Sequence, residues 1–453
     1  MQRSWAVALR NLQRNRRRNA ATVAAIAFGY AGLVVLGGYA ARVDRFLRTN
    51  AVYLQHAGHV AVWMKGGLDR AGAEPERYQL DAAAQQRILA WAGADPRVEF
   101  TARYLRGMGL AGNGCTTQPT RLFGVEPEVL GRIVRHPEVQ GWSSELATPV
   151  KGRWMDAYPK VQHASAVSVG LAEMLRKRRV YDEVQGLPPA ATILDCDTEK
   201  EAEQLAQDAN VQVMSMTYDG MFNAVDTEMT ATFHYAEAHG ENGTLYTSVS
   251  TLQTLFATDR VTYVALFLKD PADAANVAAE LTAAMAAAGL QVEALTYDEE
   301  RWNPYYVGTM AFIGSMIGII TLLVSLVLIL TVIGALTLSI LERTREIGTW
   351  RALGFGRGVL TSLVVQEAFL LAVLGVVAGV VIGLMAAAMI NAADIRFSPP
   401  GVPGTIALLI KPSPLTCAVQ AVLILPSVCV AAWLVARAQV RRNVVELLTA
   451  QSG

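Results

Sequence analysis

The densest chemistry in the sequence lies in LERTREIGTWRALGFGR, residues 341–357. Glu342 and Glu346 interleave with Arg343 and Arg345, Ile347, Trp350 and Leu353 supply apolar surface, Arg351 adds a further cation, and Gly354 is placed to end a helix. A short helix carrying both signs of charge and a few apolar anchors suits docking into a groove of a soluble partner, not bond-breaking chemistry. Read instead as a solvated turn, its exposed ion pairs would contribute little.

Other reactive side chains are sparse. Glu367 stands in an apolar run, where a carboxylate is either a functional group or the structural partner of a basic one. His56 with His59 and His234 with His239 are the close histidine pairs, and no cysteine or carboxylate cluster completes a set, so no metal site is expected. No G-x-x-x-x-G-K-[ST], H-E-x-x-H or G-x-S-x-G occurs, so no catalytic residue is assigned and ATP would have to be bound by another chain. For Cys115 and Cys196 a disulfide and two free thiols are both open, while Cys417 and Cys429 read as small apolar packing residues.

The elements that must position these residues follow from apolar length. The chain has 453 residues, 52% of them hydrophobic and only 17% charged, with mean hydropathy +0.29, which fits a mixed membrane protein. Lys+Arg 39 against Asp+Glu 39 leaves no global basic surface for nucleic acid. Residues 20–41, 306–340, 359–390 and 415–435 are each long enough for the roughly 20 apolar residues that cross a bilayer. Arginines cluster at the head (Arg10, Arg14, Arg16, Arg17, Arg18), around 341–357 (Arg343, Arg345, Arg351, Arg357) and in the tail (Arg437, Arg441, Arg442), which by the positive-inside rule puts all three in the cytoplasm.

The expected fold is therefore an α-helical membrane protein with four transmembrane helices and a large α/β extracytoplasmic (periplasmic) domain inserted between the first and second. Its parts are 1–19, a cytoplasmic amphipathic helix or simply a topogenic basic patch; 20–42, the first span; and 43–305, an α/β domain of two lobes. There follow 306–341, the second span with a stalk; 342–356, the inner helix; 357–391, the third span; 392–413, an outer loop; 414–436, the fourth span; and 437–453, a cytoplasmic tail. Residues 20–41 read as a retained span, because they are longer than a signal-peptide core and their loss would break the even-span topology. A helix over 306–340 would be ~50 Å long where a bilayer needs ~30 Å, so it tilts or projects as a stalk. Gly375, Gly379 and Gly383 at i, i+4 and i+8 bare one stripe of the third span for a close helix contact, and Gly29, Gly32, Gly37 and Gly38 do the same in the first. Within the insert, 58–64, 165–170 and 189–195 have strand character and 81–92 is helical. Strand, helix and strand over 261–270, 272–288 and 291–297 predict a crossover unit in an α/β layer.

ERTREIGTWRALGFGR resembles the signature of the FtsX-like (MacB-type) permease family, the membrane subunits of ABC transporters that include the lipoprotein-releasing permeases and the macrolide exporter. ALRNLQRNRRRNA (8–20), GVEPE (124–128), GRW (152–154), SPPG (398–401) and ARAQVRRNVVELL (436–448) are similar to the family too, although Val444 and Val445 stand where related tails carry proline. The resemblance covers the two ends and the four-span layout strongly and the insert weakly, and the layout is closest to the lipoprotein-releasing permeases. It implies that residues 342–354 contact a dimeric cytoplasmic ABC ATPase that binds ATP and Mg, with no cofactor on this chain. It also implies a dimer of permeases, homodimer or heterodimer, in a bacterial inner membrane with both termini cytoplasmic. ATP-driven movement would be transmitted to the periplasmic domain, releasing a lipoprotein or other amphiphile, with or without a periplasmic adaptor or chaperone. The alternatives are an FtsX-type transducer acting on a periplasmic partner such as a cell-wall hydrolase, and a MacB-like efflux subunit with a periplasmic adaptor. An intramembrane enzyme built on Glu367 has the least support.

Overall fold

A computed structural model describes residues 16–185, 208–236, 240–342, 344–397 and 405–440. The amphipathic head, the 189–195 strand and most of the tail after residue 440 lie outside them. Four helices are long and apolar enough to cross a membrane: α1 (Arg16–Thr49), α6 (Pro304–Glu342), α8 (Arg357–Ala392) and α9 (Pro414–Val440). Between α1 and α6 lies a large α/β domain. α1 runs past the expected end at residue 42 to Thr49 and continues as a π-helical turn, Asn50–Leu54. No glycine or proline between 42 and 54 interrupts it. Apolar length sets where lipid ends, whereas a helix ends only where a breaker or cap stops it.

The chain divides into two compact units. In the first, all four long helices meet in one cluster: Ile26, Tyr30, Leu33 and Val34 of α1; Leu328, Val332 and Leu336 of α6; Ala368, Ala372 and Val376 of α8; and Ile424, Val428 and Ala432 of α9. α6 contributes every fourth residue, as one helical stripe must. Its remaining surface stays apolar and exposed at Phe312, Leu322 and Leu330, which suits lipid tails as solvent. Three polar ties cross this unit. Tyr30 Oη donates to Cys417 O at 2.6 Å, Gln420 Nε2 donates to Leu33 O at 3.0 Å, and Asn391 holds Ile410 through both its amide nitrogen (2.9 Å) and its amide oxygen (2.7 Å).

The second unit is centred on residues 45–309. Its strands are β1 (Val60–Met64), β2 (Val98–Gly112), β3 (Thr117–Gly124), β4 (Lys151–Gly152), β5 (Ala164–Ser168), β6 (Asn210–Met216), β7 (Phe222–Phe233), β8 (Thr244–Thr247), β9 (Tyr263–Leu268) and β10 (Val292–Thr296). They form one sheet in the order β10-β1-β9-β2-β3-β8-β5-β7-β4, with β6 bridging β2 and β7. The helices used below are α2 (Ala82–Ala94), α3 (Pro127–Val134), α4 (Val249–Phe256) and α5 (Ala274–Ala287).

The crossover expected over 261–297 is β9–α5–β10. Both strands run antiparallel to β1, which lies between them, so they are parallel to each other but not neighbours. α5 buries Val277, Ala278, Leu281 and Met285 at helical spacing. The 15-residue strand β2 spans two parts of the sheet: Phe100–Tyr104 pairs with β9, and Leu105–Gly112 pairs with β3. Sequence reading does not anticipate this strand, because Gly107, Gly109 and Gly112 argue against one. The fold needs those glycines. A Cβ on Gly107 would fall 2.3 Å from the Phe256 ring of α4, and one on Gly109 would fall 2.6 Å from Met214 O of β6.

Candidate functional site

The inner segment forms α7 (Thr344–Ala352), a short helix between α6 and α8. It ends in a Schellman motif. Gly354 has φ +93°, its N–H donates to Arg351 O at 3.1 Å, and Phe355 N–H donates to Trp350 O at 3.0 Å. The Trp350 and Phe355 rings meet with centroids 6.3 Å apart, the apolar contact that accompanies this cap. The glycine read as a C-cap therefore occupies the left-handed position that an L side chain resists.

α7 is anchored on one side and open on the other. Trp350 packs against Ile340, the last turn of α6, and Leu360, the first turn of α8, together with Val364 and Val435. Leu353 is 72% exposed and Phe355 51% exposed. One aromatic thus seals the short helix to the ends of three long helices, and two large apolar side chains face outward. Arg351 is half-buried. Arg343 and the side chains of Glu342, Arg345, Glu346 and Ile347 lie outside the described residues.

The glycine stripe of α8 meets α1. An added Cβ would lie 2.6 Å from Ile26 Cβ at Gly375, 2.7 Å from Ala27 O at Gly379 and 2.9 Å from Val34 Cβ at Gly383. On α1, Gly29, Gly37 and Gly38 are similarly crowded, by Leu328, Gln420 and Ile410, but Gly32 has nothing within 4 Å. Periodicity cannot say which face of a helix is covered, so the expectation for Gly32 is corrected. Glu367 is buried at 9% exposure in α8, and Gln366 Nε2 donates to Ser362 Oγ at 3.3 Å.

Residues 310–443 match the family described as FtsX-like permease C-terminal. That match takes in most of α6 and all of α7, α8 and α9. No curated protein matches the sequence. Among solved structures, the extracellular domain of the noncanonic ABC-type transporter YknZ from Gram-positive bacteria matches at 10% identity and TM-score 0.30, covering 52% of this chain and 99% of that one. The periplasmic region of MacB from Actinobacillus actinomycetemcomitans matches at 10% identity and TM-score 0.32, covering 53% and 89%.

In the large domain, His56 and His59 serve the core. His56, at φ +63°, is fully buried and shares a hydrogen bond with Tyr104 Oη at 3.2 Å; burial, aided by the Arg106 guanidinium, pushes its pKa down to about 3. His59 Nδ1 accepts from Leu268 N–H at 2.9 Å, and burial pushes its pKa down to about 4. A ring nitrogen that accepts a backbone N–H in a dry interior must stay neutral. His234 Nδ1 lies 2.7 Å from Glu241 Oε1, and His239 lies outside the described residues. Among the described residues no group of three His, Cys, Asp or Glu could hold a metal. Cys115 is disulfide-bonded; Cys196 lies outside the described residues.

Sequence reasoning missed a cavity of about 600 Å³ in this domain. Arg106 of β2 enters its wall with the guanidinium carbon 4.7 Å from the Tyr263 ring centre, 4.9 Å from Phe123 and 5.3 Å from Trp302. Trp63, Arg121 and Tyr235 also line it, with Arg121 5.5 Å over the Tyr235 ring. The signal was faint: Arg106 and Arg121 stand in two different strands among mixed neighbours, with nothing local to relate them.

Proposed function

We propose that this chain is the permease subunit of an ABC transporter and that α7 with its cap, residues 342–354, is where a separate cytoplasmic ATPase grips it. The carrying observation is the anchoring of α7: Trp350 ties it to Ile340 and Leu360, so a force on Leu353 and Phe355 is delivered to the ends of α6 and α8 instead of being lost in a loose loop. α6 then runs unbroken for 39 residues, ~58 Å at 1.5 Å per residue, nearly twice what the hydrocarbon core needs. A helix of that length can carry a displacement made at one end to the other. In this reading ATP and Mg are held by the partner, the arginine-rich ends and α7 face the cytoplasm, the large domain faces outward, and two permease copies move together. The inner membrane of a bacterium is the setting, and an amphiphile such as a lipoprotein is the cargo released.

The test uses the permease reconstituted with its ATPase. Leu353→Asp places a charge on a side chain that is 72% exposed in the monomer, so folding is preserved while the grip is lost. ATPase stimulation by the permease is expected to fall at least tenfold, and charge reversal at Arg351 to reduce it severalfold. Full stimulation in both variants would sink the coupling role of α7.

A further inference from the structure

We infer that the cavity walled by Arg106, Trp63 and Trp302 binds an anionic amphiphile, with an oxyanion head on Arg106 and an apolar body against the aromatic and aliphatic walls. The inference rests on the permease reading for what the ligand is used for, not for whether it binds.

Three observations carry it. First, the wall of the cavity holds unspent donors. Arg106 Nη2 donates to Gln55 O at 3.1 Å, but Arg106 Nε, Trp63 Nε1 and Trp302 Nε1 are buried without a hydrogen-bond partner. Buried polar groups in native proteins are rarely left unpaired, and here three of them belong to residues lining one cavity. All three are donors, but their atoms are shut off from the cavity space, so they mark a wall short of acceptors and not groups that an occupant meets directly.

Second, the charge is one-sided. Arg106 lines the cavity, and among the described residues no Asp or Glu does. Arg106 has no carboxylate partner among the described residues, which is unusual for a partly buried guanidinium. An aromatic cage of this kind could instead take a quaternary ammonium ligand, but the cage already holds a cation: the guanidinium fills the position over the Tyr263, Phe123 and Trp302 rings. A second cation would meet repulsion, whereas an anion would meet a charge already fixed in place. Arg106 also presents a planar fork of donors suited to carboxylate or phosphate.

Third, size and lining exclude a bare ion as the whole ligand. About 600 Å³ lies in the range of small-molecule sites, and Ala57, Leu68, Ala71 and Leu122 give much of the wall an apolar surface. Met108 stands at the rim, 62% exposed, as an adaptable apolar side chain. Pro304 and Tyr305, in the first turn of α6, complete the lining, so an occupant would touch the start of that helix.

The experiment measures binding to the full chain in lipid nanodiscs without ATPase or nucleotide, read by quenching of tryptophan fluorescence. The probes are hexyl phosphate, hexanol, hexyltrimethylammonium and inorganic phosphate. Hexyl phosphate is expected to quench saturably and at least tenfold more tightly than the other three. Arg106→Gln should weaken it tenfold or more. Met108→Asp, which adds a repelling carboxylate at an exposed rim position and leaves the core untouched, should weaken it severalfold even if Arg106→Gln fails to fold. Equal binding of hexanol and hexyl phosphate, or no effect of Met108→Asp together with a folded, unaffected Arg106→Gln, would overturn the proposal. Inorganic phosphate binding as tightly as hexyl phosphate would overturn its amphiphile part. Because no ATPase is present, failure here leaves the coupling role of α7 standing, and failure of coupling leaves this binding intact.

Discussion

Gly379→Ala and Gly32→Ala are the same chemical change made on two helices of one unit, and the structure predicts opposite outcomes. Both substitutions gain helix propensity, about 1 kcal/mol for Gly to Ala in a helix interior. At Gly32 nothing lies within 4 Å, so that gain is kept and the variant is more stable by up to ~1 kcal/mol. At Gly379 the new methyl would sit 2.7 Å from Ala27 O and 2.9 Å from Tyr30 Cβ, against 3.4–4 Å for ordinary contact. A backbone oxygen cannot turn aside as a side chain can. α8 must move off α1 by several tenths of an ångström or more, which opens the packing of Gly375 on Ile26 and Gly383 on Val34 as well. Overpacking of this kind costs ~1–3 kcal/mol, enough to cancel the propensity gain and leave a net loss of up to ~2 kcal/mol. The assay is the thermal midpoint of each purified variant in one detergent, measured by intrinsic fluorescence with wild type alongside. Gly32→Ala should rise slightly and Gly379→Ala should fall. If Gly379→Ala rises as much as Gly32→Ala, close approach of these two helices is not what the glycine stripe provides.

Two further outcomes follow from the same reasoning. Gly354→Ala forces an L side chain to φ +93°, at ~1–2 kcal/mol, which should fray the end of α7, loosen the Trp350–Phe355 contact and reduce ATPase stimulation severalfold; Gly354→Asn, a residue that tolerates the left-handed region, should retain most of it. His56 and His59 have folded pKa values of about 3 and about 4, below the ~6.5 of an unfolded histidine, so the unfolded chain binds more protons between those limits. Their contribution to stability is thus complete above pH ~6.5 and lost as pH falls toward 4 and then 3. Unfolding midpoints taken from pH 7.5 to 4.5 should decline, and more shallowly in His56→Gln; a pH-independent midpoint in wild type would contradict the buried neutral state.

What sequence alone determined about this protein is everything that depends on a short window. Four apolar runs of bilayer length mark the spans, because the hydrocarbon thickness converts directly into residues per helix. The Gly354 cap was legible because a left-handed residue after a helix is a local backbone demand, and β9–α5–β10 because period and length separate strand from helix within residues 261–297. Tertiary structure alone decided which side chains face one another. Gly379 is pressed against α1 while Gly32 is bare, although both read as small residues at a helix interface. β2 is a strand in spite of its glycines because Phe256 and Met214 O fill the space their side chains would need. The cavity assembles Trp63, Arg106 and Trp302 from strands and a helix entrance far apart in the chain, and no local pattern could have placed three unpaired donors around one volume. Hydrogen bonding and hydrophobicity along a window are properties of neighbours in sequence; an unspent donor is a property of neighbours in space.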